Sequence, residues 1–127
     1  MPDKVYRTAI YCRLSREDGD KVESNSIASQ RAICEDYIAR HDDLELVCEP
    51  FVDDGYSGVS FNRPQFKKLE EAIRKGALDC IVVKDLSRFS RNYIDGGRYI
   101  EKIFPQLGIR FIAINDAYDS LTGDPQS

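Results

Sequence analysis

Tyr11, Arg13 and Ser15 occupy every second position near the N-terminus. On an extended strand, alternation puts all three on one side. A serine hydroxyl is a weak nucleophile until its surroundings favour the alkoxide, and Arg13 sets a permanent cation two residues away. The same letters also suit a strand end with a solvated arginine and a turn serine. A second candidate is Leu86-Ser87-Arg88-Phe89-Ser90-Arg91. If a helical turn starts here, Arg88 and Arg91 share a face and Ser87 can cap the turn. Two guanidinium forks suit phosphate. Helix starts ordinarily favour acidic residues, so a pair of arginines there needs a reason; two solvated arginines are the plainer reading.

Gln30 falls between Ile27 and Cys34 on the apolar side of a helical pattern. A polar amide in that position must find a partner. It either orients an active-site group or satisfies a core backbone group. Asp53-Asp54-Gly55-Tyr56-Ser57-Gly58 reads as a turn by composition. A carboxylate at a strand's end can instead hold an arginine in place. Arg63 precedes Pro64 at a predicted helix start, where a cation caps nothing but can reach a phosphate.

The elements that must position these residues alternate between strand and helix. β-like runs cover residues 5–13, 44–52, 80–83 and 109–114, and the third is apolar throughout, as a strand buried on both faces should be. Helical spacing covers residues 26–41, 62–75 and 92–104. Gly76 and Pro105 read as the stops of the last two, and Gly96 and Gly97 weaken the middle of the third. This order predicts an α/β domain: a mostly parallel sheet of four to five strands with helices on both faces. In such sheets ligand chemistry gathers beyond the carboxyl ends of the strands, where the unusual polar residues above cluster. After Asn115 the chain turns polar, with no packing pattern, and reads as a loop or a frayed end.

The chain has 127 residues, 42% hydrophobic and 31% charged, the size and balance of one globular domain. No apolar run approaches the ~20 residues of a membrane span and no signal-peptide pattern opens the chain, so a cytoplasmic setting without membrane contact is expected. Cys12, Cys34, Cys48 and Cys80 form no CxxC pair and His41 is the single histidine, which argues against a zinc site and for buried, reduced cysteines. One histidine at the far end of its helix also argues against a Ser-His-Asp triad. No phosphate-binding glycine loop is present. The net charge of −4 disfavours strong DNA affinity by these residues alone.

Taken together and in order, the motifs resemble those of the serine recombinases, the resolvase and invertase superfamily, over nearly the whole chain. Tyr11-Cys12-Arg13-Leu14-Ser15 is similar to the family's Y-x-R-x-S signature, whose serine is the nucleophile. Gln30 matches a glutamine on the first helix. Asp54-Gly55-Tyr56-Ser57-Gly58 matches a D-x-x-S-G loop, with Arg63 at the position of a further active-site arginine. Leu86 to Arg91 matches L-(D/S)-R-x-x-R. Small resolvases carry aspartate where this chain has Ser87. The serine looks more like the large serine recombinases of phage integrases and conjugative transposons, and it puts a general-acid role for that position in doubt.

The resemblance implies a resolvase-like N-terminal catalytic domain over residues 1–127, a fragment of a longer chain whose dimerisation helix and DNA-binding domains lie elsewhere. It implies double-stranded DNA as substrate, gripped mainly by those other domains, and self-association to dimer and tetramer. Ser15 would attack a phosphodiester with Arg13, Arg88 and Arg91 around the phosphoryl oxygens. Tyr11, Gln30, Asp54, Ser57, Arg63 and Ser87 would support them, without metal or cofactor. The competing expectation is a receiver-like signalling module with an acidic pocket of Asp53, Asp54 and Asp85 beside Lys84.

Overall fold

The computed structural model describes residues 4–15 and 26–122. The first strand, β1 (Tyr6–Leu14), sits inside the sheet. Its neighbours on the chain's return are β2 (Leu44–Leu46) and β3 (Phe51–Asp54), which pair in parallel with its first and second parts. β4 (Cys80–Val83) and β5 (Arg110–Ala113) extend the sheet in parallel, and β6 (Tyr118–Asp119) closes it antiparallel to β5.

Helices cover both faces, as expected. Ile10, Cys12, Val82 and Ile112 pack under α1 (Ile27–Ala39) through Cys34 and Ile38. Ala9, Tyr11, Ile81, Val83 and Phe111 pack on the other face with Phe66, Leu69 and Ile73 of α2 (Pro64–Arg74), Phe89 and Phe104. The alternation of odd and even residues between these two clusters is the pleat of β1 and β4 made visible.

Local chemistry sets most boundaries. Ser26 caps α1 by accepting from the Ser29 N–H at 3.1 Å. Pro64 opens α2, and Gly76 ends it in the left-handed region at φ +79°. A four-residue helix, α3 (Leu86–Phe89), follows β4, and Asn92 caps α4 (Tyr93–Arg98). Here the structure departs from the expected stop at Pro105. A wide turn, Tyr99–Ile103, with a bond from the Phe104 N–H to the Tyr99 carbonyl carries the helix through the proline into α5 (Phe104–Gln106). Proline lacks the N–H of a normal turn and crowds the carbonyl four residues back, and the wider turn relieves both.

Among the described residues the sheet holds six strands, not four to five. The run 44–52 is interrupted and becomes β2 and β3, and residues 118–119, read from sequence as part of a loop or frayed end, form β6. Ala117 turns the chain into β6 at φ +52°, in the left-handed region. Residues 123–127 of the polar tail lie outside the described residues. Among the described residues no helix is long and apolar enough to cross a membrane. Cys12, Cys34 and Cys80 are buried free thiols, but Cys48 is exposed, contrary to expectation.

Candidate active site

The carboxyl ends of β1, β3 and β4 meet at one edge of the sheet. At the end of β1, Arg13 is wholly buried. Its guanidinium stitches two loops together: Nε donates to the Arg88 carbonyl (3.2 Å), Nη2 to the Ser87 carbonyl (2.7 Å) and Nη1 to the Tyr56 carbonyl (3.0 Å). Arg88, 2% exposed, returns the contact, its Nη1 donating to the Arg13 carbonyl at 3.0 Å. Each arginine is thus fixed by the other's backbone, and two buried cations are steadied by carbonyl dipoles. Ser15 follows two residues after Arg13 and is 3% exposed. Gln30 resolves its two readings together. Its Oε1 accepts from the Arg13 N–H (3.2 Å) and its Nε2 donates to the Arg13 carbonyl (3.0 Å). It satisfies core backbone, and that backbone belongs to the candidate site.

The surrounding contacts centre on Asp53, where the resemblance points to Asp54. Asp54 is exposed; Asp53, 1% exposed, makes the buried contacts. Asp53 accepts from Tyr11 Oη at 2.8 Å and from the N–H groups of Gln65 and Phe66 at 2.9 Å each, which caps α2. The pairing of β1 with β3 explains the difference. Asp53 lies opposite Arg13 and so faces α2, whereas Asp54 lies opposite Leu14 and faces away. Burial pushes the Tyr11 phenol well above its usual range despite the nearby Arg63 cation, so Tyr11 stays a donor.

Arg63 was expected to reach a phosphate, but it is wholly buried and faces inward. Its donors meet the carbonyls of Ser57 (3.1 Å), Ser60 (2.8 Å), Gly58 (3.2 Å) and Phe89 (2.6 Å), and Tyr11 Oη at 3.3 Å. Ser57 is exposed, its Oγ accepting from the Val59 N–H at 3.0 Å within the turn. Arg63 therefore builds the inner wall of the 53–58 loop.

The segment from Leu86 to Arg91 also differs from expectation. α3 ends at Phe89 and Ser90 is extended, so Arg88 and Arg91 do not share a helical face: Arg88 turns in and Arg91 stays exposed. Gly58 ties Arg91 to Arg13 instead. The Arg91 N–H donates to the Gly58 carbonyl at 2.7 Å, and a methyl group on Gly58 would lie 2.8 Å from Arg13 Nη2 and 2.9 Å from Arg91 Cγ. Nor does Ser87 cap α3. The cap is Asp85, which accepts from the Arg88 N–H at 3.2 Å. Asp116, far along the chain, accepts from the Leu86 N–H at 2.7 Å and fixes the helix's first residue. Ser87, Arg91 and Asp116 then line a cavity of about 340 Å³ with Leu86, Ser90 and Tyr93.

The receiver-like alternative loses its acidic pocket: Asp53 is occupied by Tyr11 and α2, and Asp85 by α3. Among the described residues no group of three or more His, Cys, Asp or Glu is arranged to hold a metal. Cys12 is no rival to Ser15, since burial pushes its thiol up to about 12 and leaves little thiolate at neutral pH.

The fold that carries these residues is shared with known proteins. The family model described as "Resolvase, N terminal domain" matches residues 8–126. A "Putative DNA recombinase" of Bacillus subtilis (strain 168) is 31% identical over 110 residues, covering 87% of this chain and 21% of the relative. The chain thus spans about a fifth of the length of the curated relative it matches. The N-terminal catalytic domain of TP901-1 integrase superposes with TM-score 0.79 at 28% identity, covering 91% of this chain and 82% of that one. A resolvase family site-specific recombinase from Streptococcus pneumoniae superposes with TM-score 0.73 at 28% identity, covering 97% and 80%. Fold and sequence agree, and the chain belongs to the resolvase N-terminal domain family.

Proposed function

We propose that these residues are the catalytic domain of a serine site-specific recombinase, acting in a longer protein that self-associates and takes its main grip on double-stranded DNA from other domains. The observation that carries this reading is Ser15 at the end of β1, two residues from the interlocked pair Arg13 and Arg88. The serine hydroxyl attacks a DNA phosphorus. A bond forms between Oγ and the 5′ phosphate, the bond to the 3′ oxygen breaks, and a proton passes to that leaving oxygen, freeing a 3′ hydroxyl. One ester replaces another, so rejoining by the reverse attack needs no nucleoside triphosphate. Arg88 and Arg91 meet the charge that builds on the phosphoryl oxygens, and Arg13 adds a permanent cation and holds their loops. Tyr11, Gln30, Asp53 and Arg63 act as the frame, and Ser57 and Asp54 stand outside it. The net charge of −4 fits a domain that performs chemistry on DNA delivered by other parts.

The test is a suicide substrate that traps the covalent complex with the full-length recombinase, followed by mapping of the linked residue. Ser15→Ala should abolish linkage and cleavage while site binding persists. A phosphotyrosine at Tyr11, or cleavage by the Ser15→Ala protein, would overturn the mechanism.

A further inference from the structure

The hydroxyl of Ser87 has one proton, and it goes to a carboxylate: Ser87 Oγ donates to Asp85 Oδ1 at 2.5 Å. The lone pairs of the same oxygen face Arg88, whose Nε and Nη2 lie 3.3 and 3.1 Å away. Asp85 Oδ1 also accepts the Arg88 N–H and stands 3.7 Å from Arg88 Nε. One carboxylate therefore reaches Arg88 through its backbone, through space and through the intervening hydroxyl.

That concentration of contacts is more than a cap requires. An N-cap needs only an acceptor for the backbone, and asparagine or serine serves as well as aspartate. What the other two contacts act on is the guanidinium. An arginine side chain has many rotamers, and a fork that must meet developing charge is effective only when its plane is fixed beforehand. We propose that Asp85 is a positioning residue for Arg88, acting through Ser87 in a carboxylate–hydroxyl relay that presets the guanidinium for the phosphoryl group. The inference rests on the phosphoryl-transfer reading above and adds a residue to it.

The relay separates from a capping role by moving the carboxylate. Asp85→Asn keeps an acceptor for the Arg88 N–H and removes the charge. Ser87→Asp puts a carboxylate where the Ser87 oxygen now meets Nε and Nη2. Single-turnover cleavage by the full-length recombinase, with site binding and thermal unfolding measured beside it, should show Asp85→Asn slower by ~10- to 100-fold, the cost of a loosened oxyanion donor. Binding and unfolding should stay near wild type. Adding Ser87→Asp to Asp85→Asn should then recover about tenfold or more of the lost rate, by direct pairing with the Arg88 fork. A second arm starts from Ser87. Ser87→Ala, with the cap intact, should slow cleavage, and adding Asp85→Asn to it should cost little more, because a relay breaks once. Wild-type rates in Asp85→Asn, no gain from Ser87→Asp, or fully additive losses would each overturn the relay. Failure of the wild-type protein to form a Ser15 linkage would instead sink the functional reading beneath it.

Discussion

A buried arginine has to place its donors, and Arg13, Arg63 and Arg88 at the candidate site do so in different ways. Arg13 and Arg88 hold one another's backbone, while Arg63 holds the loop that crosses them. Gly58 is the point where Arg13, Arg63 and Arg91 meet, which makes it a sensitive position. A methyl group there would come within 2.8 Å of Arg13 Nη2, 3.0 Å of Arg13 Cζ and 2.9 Å of Arg91 Cγ. Arg13 is locked by three carbonyls and cannot yield without releasing one. Gly58→Ala should therefore cut the single-turnover cleavage rate by on the order of 100-fold, as a displacement near 1 Å does elsewhere. Destabilisation should stay within the ~1–3 kcal/mol of overpacking. A rate near wild type would show that Arg13 and Arg91 have room to move apart. Arg88→Lys tests the fork directly. The charge stays and the planar donor set goes, so cleavage should fall about 100-fold while site binding changes little. A binding loss as large as the rate loss would make Arg88 a DNA-gripping residue only.

At the scale of elements, the catalytic edge depends on segments far away in sequence. The connection between β5 and β6 sends Asp116 to the Leu86 N–H and the Asn115 N–H to the Lys84 carbonyl, both across the start of α3. The turn that presents Asp116 is completed by Ala117 in a left-handed conformation, unfavourable for an L-residue with a Cβ. Ala117→Gly should raise stability by about 0.5–1 kcal/mol, the gain from lifting that strain less the added freedom of the unfolded chain. Chemical denaturation measures it, and a loss of stability would mean that the Ala117 methyl packs usefully. None of this was legible in the sequence, because a polar run with no period carries no record of a partner strand. The rest divides by the same logic. Strand and helix order, both faces of the sheet, and Arg13, Ser15, Gln30 and Arg88 at its carboxyl edge follow from periodicity and motif spacing. Asp53 against Asp54 does not, since a one-residue shift of β3 swaps the two faces and only pairing with β1 fixes it. The inward turn of Arg63 also escapes, because a buried guanidinium satisfied by carbonyls has the same letter as one reaching for phosphate.

Across the whole molecule, charge is divided between the two ends of the sheet. The carboxyl edge gathers arginines, and the opposite edge is closed by arginine–carboxylate pairs. Arg110 opens β5, 8% exposed, with Nη2 and Nε on the two oxygens of Asp119 at 2.6 and 2.9 Å and Nη1 on Asp43 at 2.8 Å. It also lies over the Tyr6 ring at 4.9 Å from the centroid. Arg7 grips Asp79 through two further bonds of 2.9 and 3.0 Å, in a more exposed setting. Burial alone would raise the Asp119 carboxyl, but the Arg110 bonds and the Leu121 N–H outweigh it and leave it below its usual 3.8. Asp79 is lowered too, chiefly by its bond from Arg7. For a carboxylate depressed by folding, the added stability is complete above the unfolded pKa and is lost as pH falls through the lower folded value. The domain should therefore hold its stability from neutrality to about pH 4 and lose it as the pH falls further. Asp119 should contribute more to that loss than Asp79, whose pair is screened by solvent. Asp119→Asn removes the titrating group and leaves Arg110 with a weaker partner. Its denaturation midpoint should lie below wild type at pH 7, and the gap should narrow on acidification as the wild-type ion pair is itself protonated away. Parallel profiles across that range would place the acid sensitivity elsewhere in the fold.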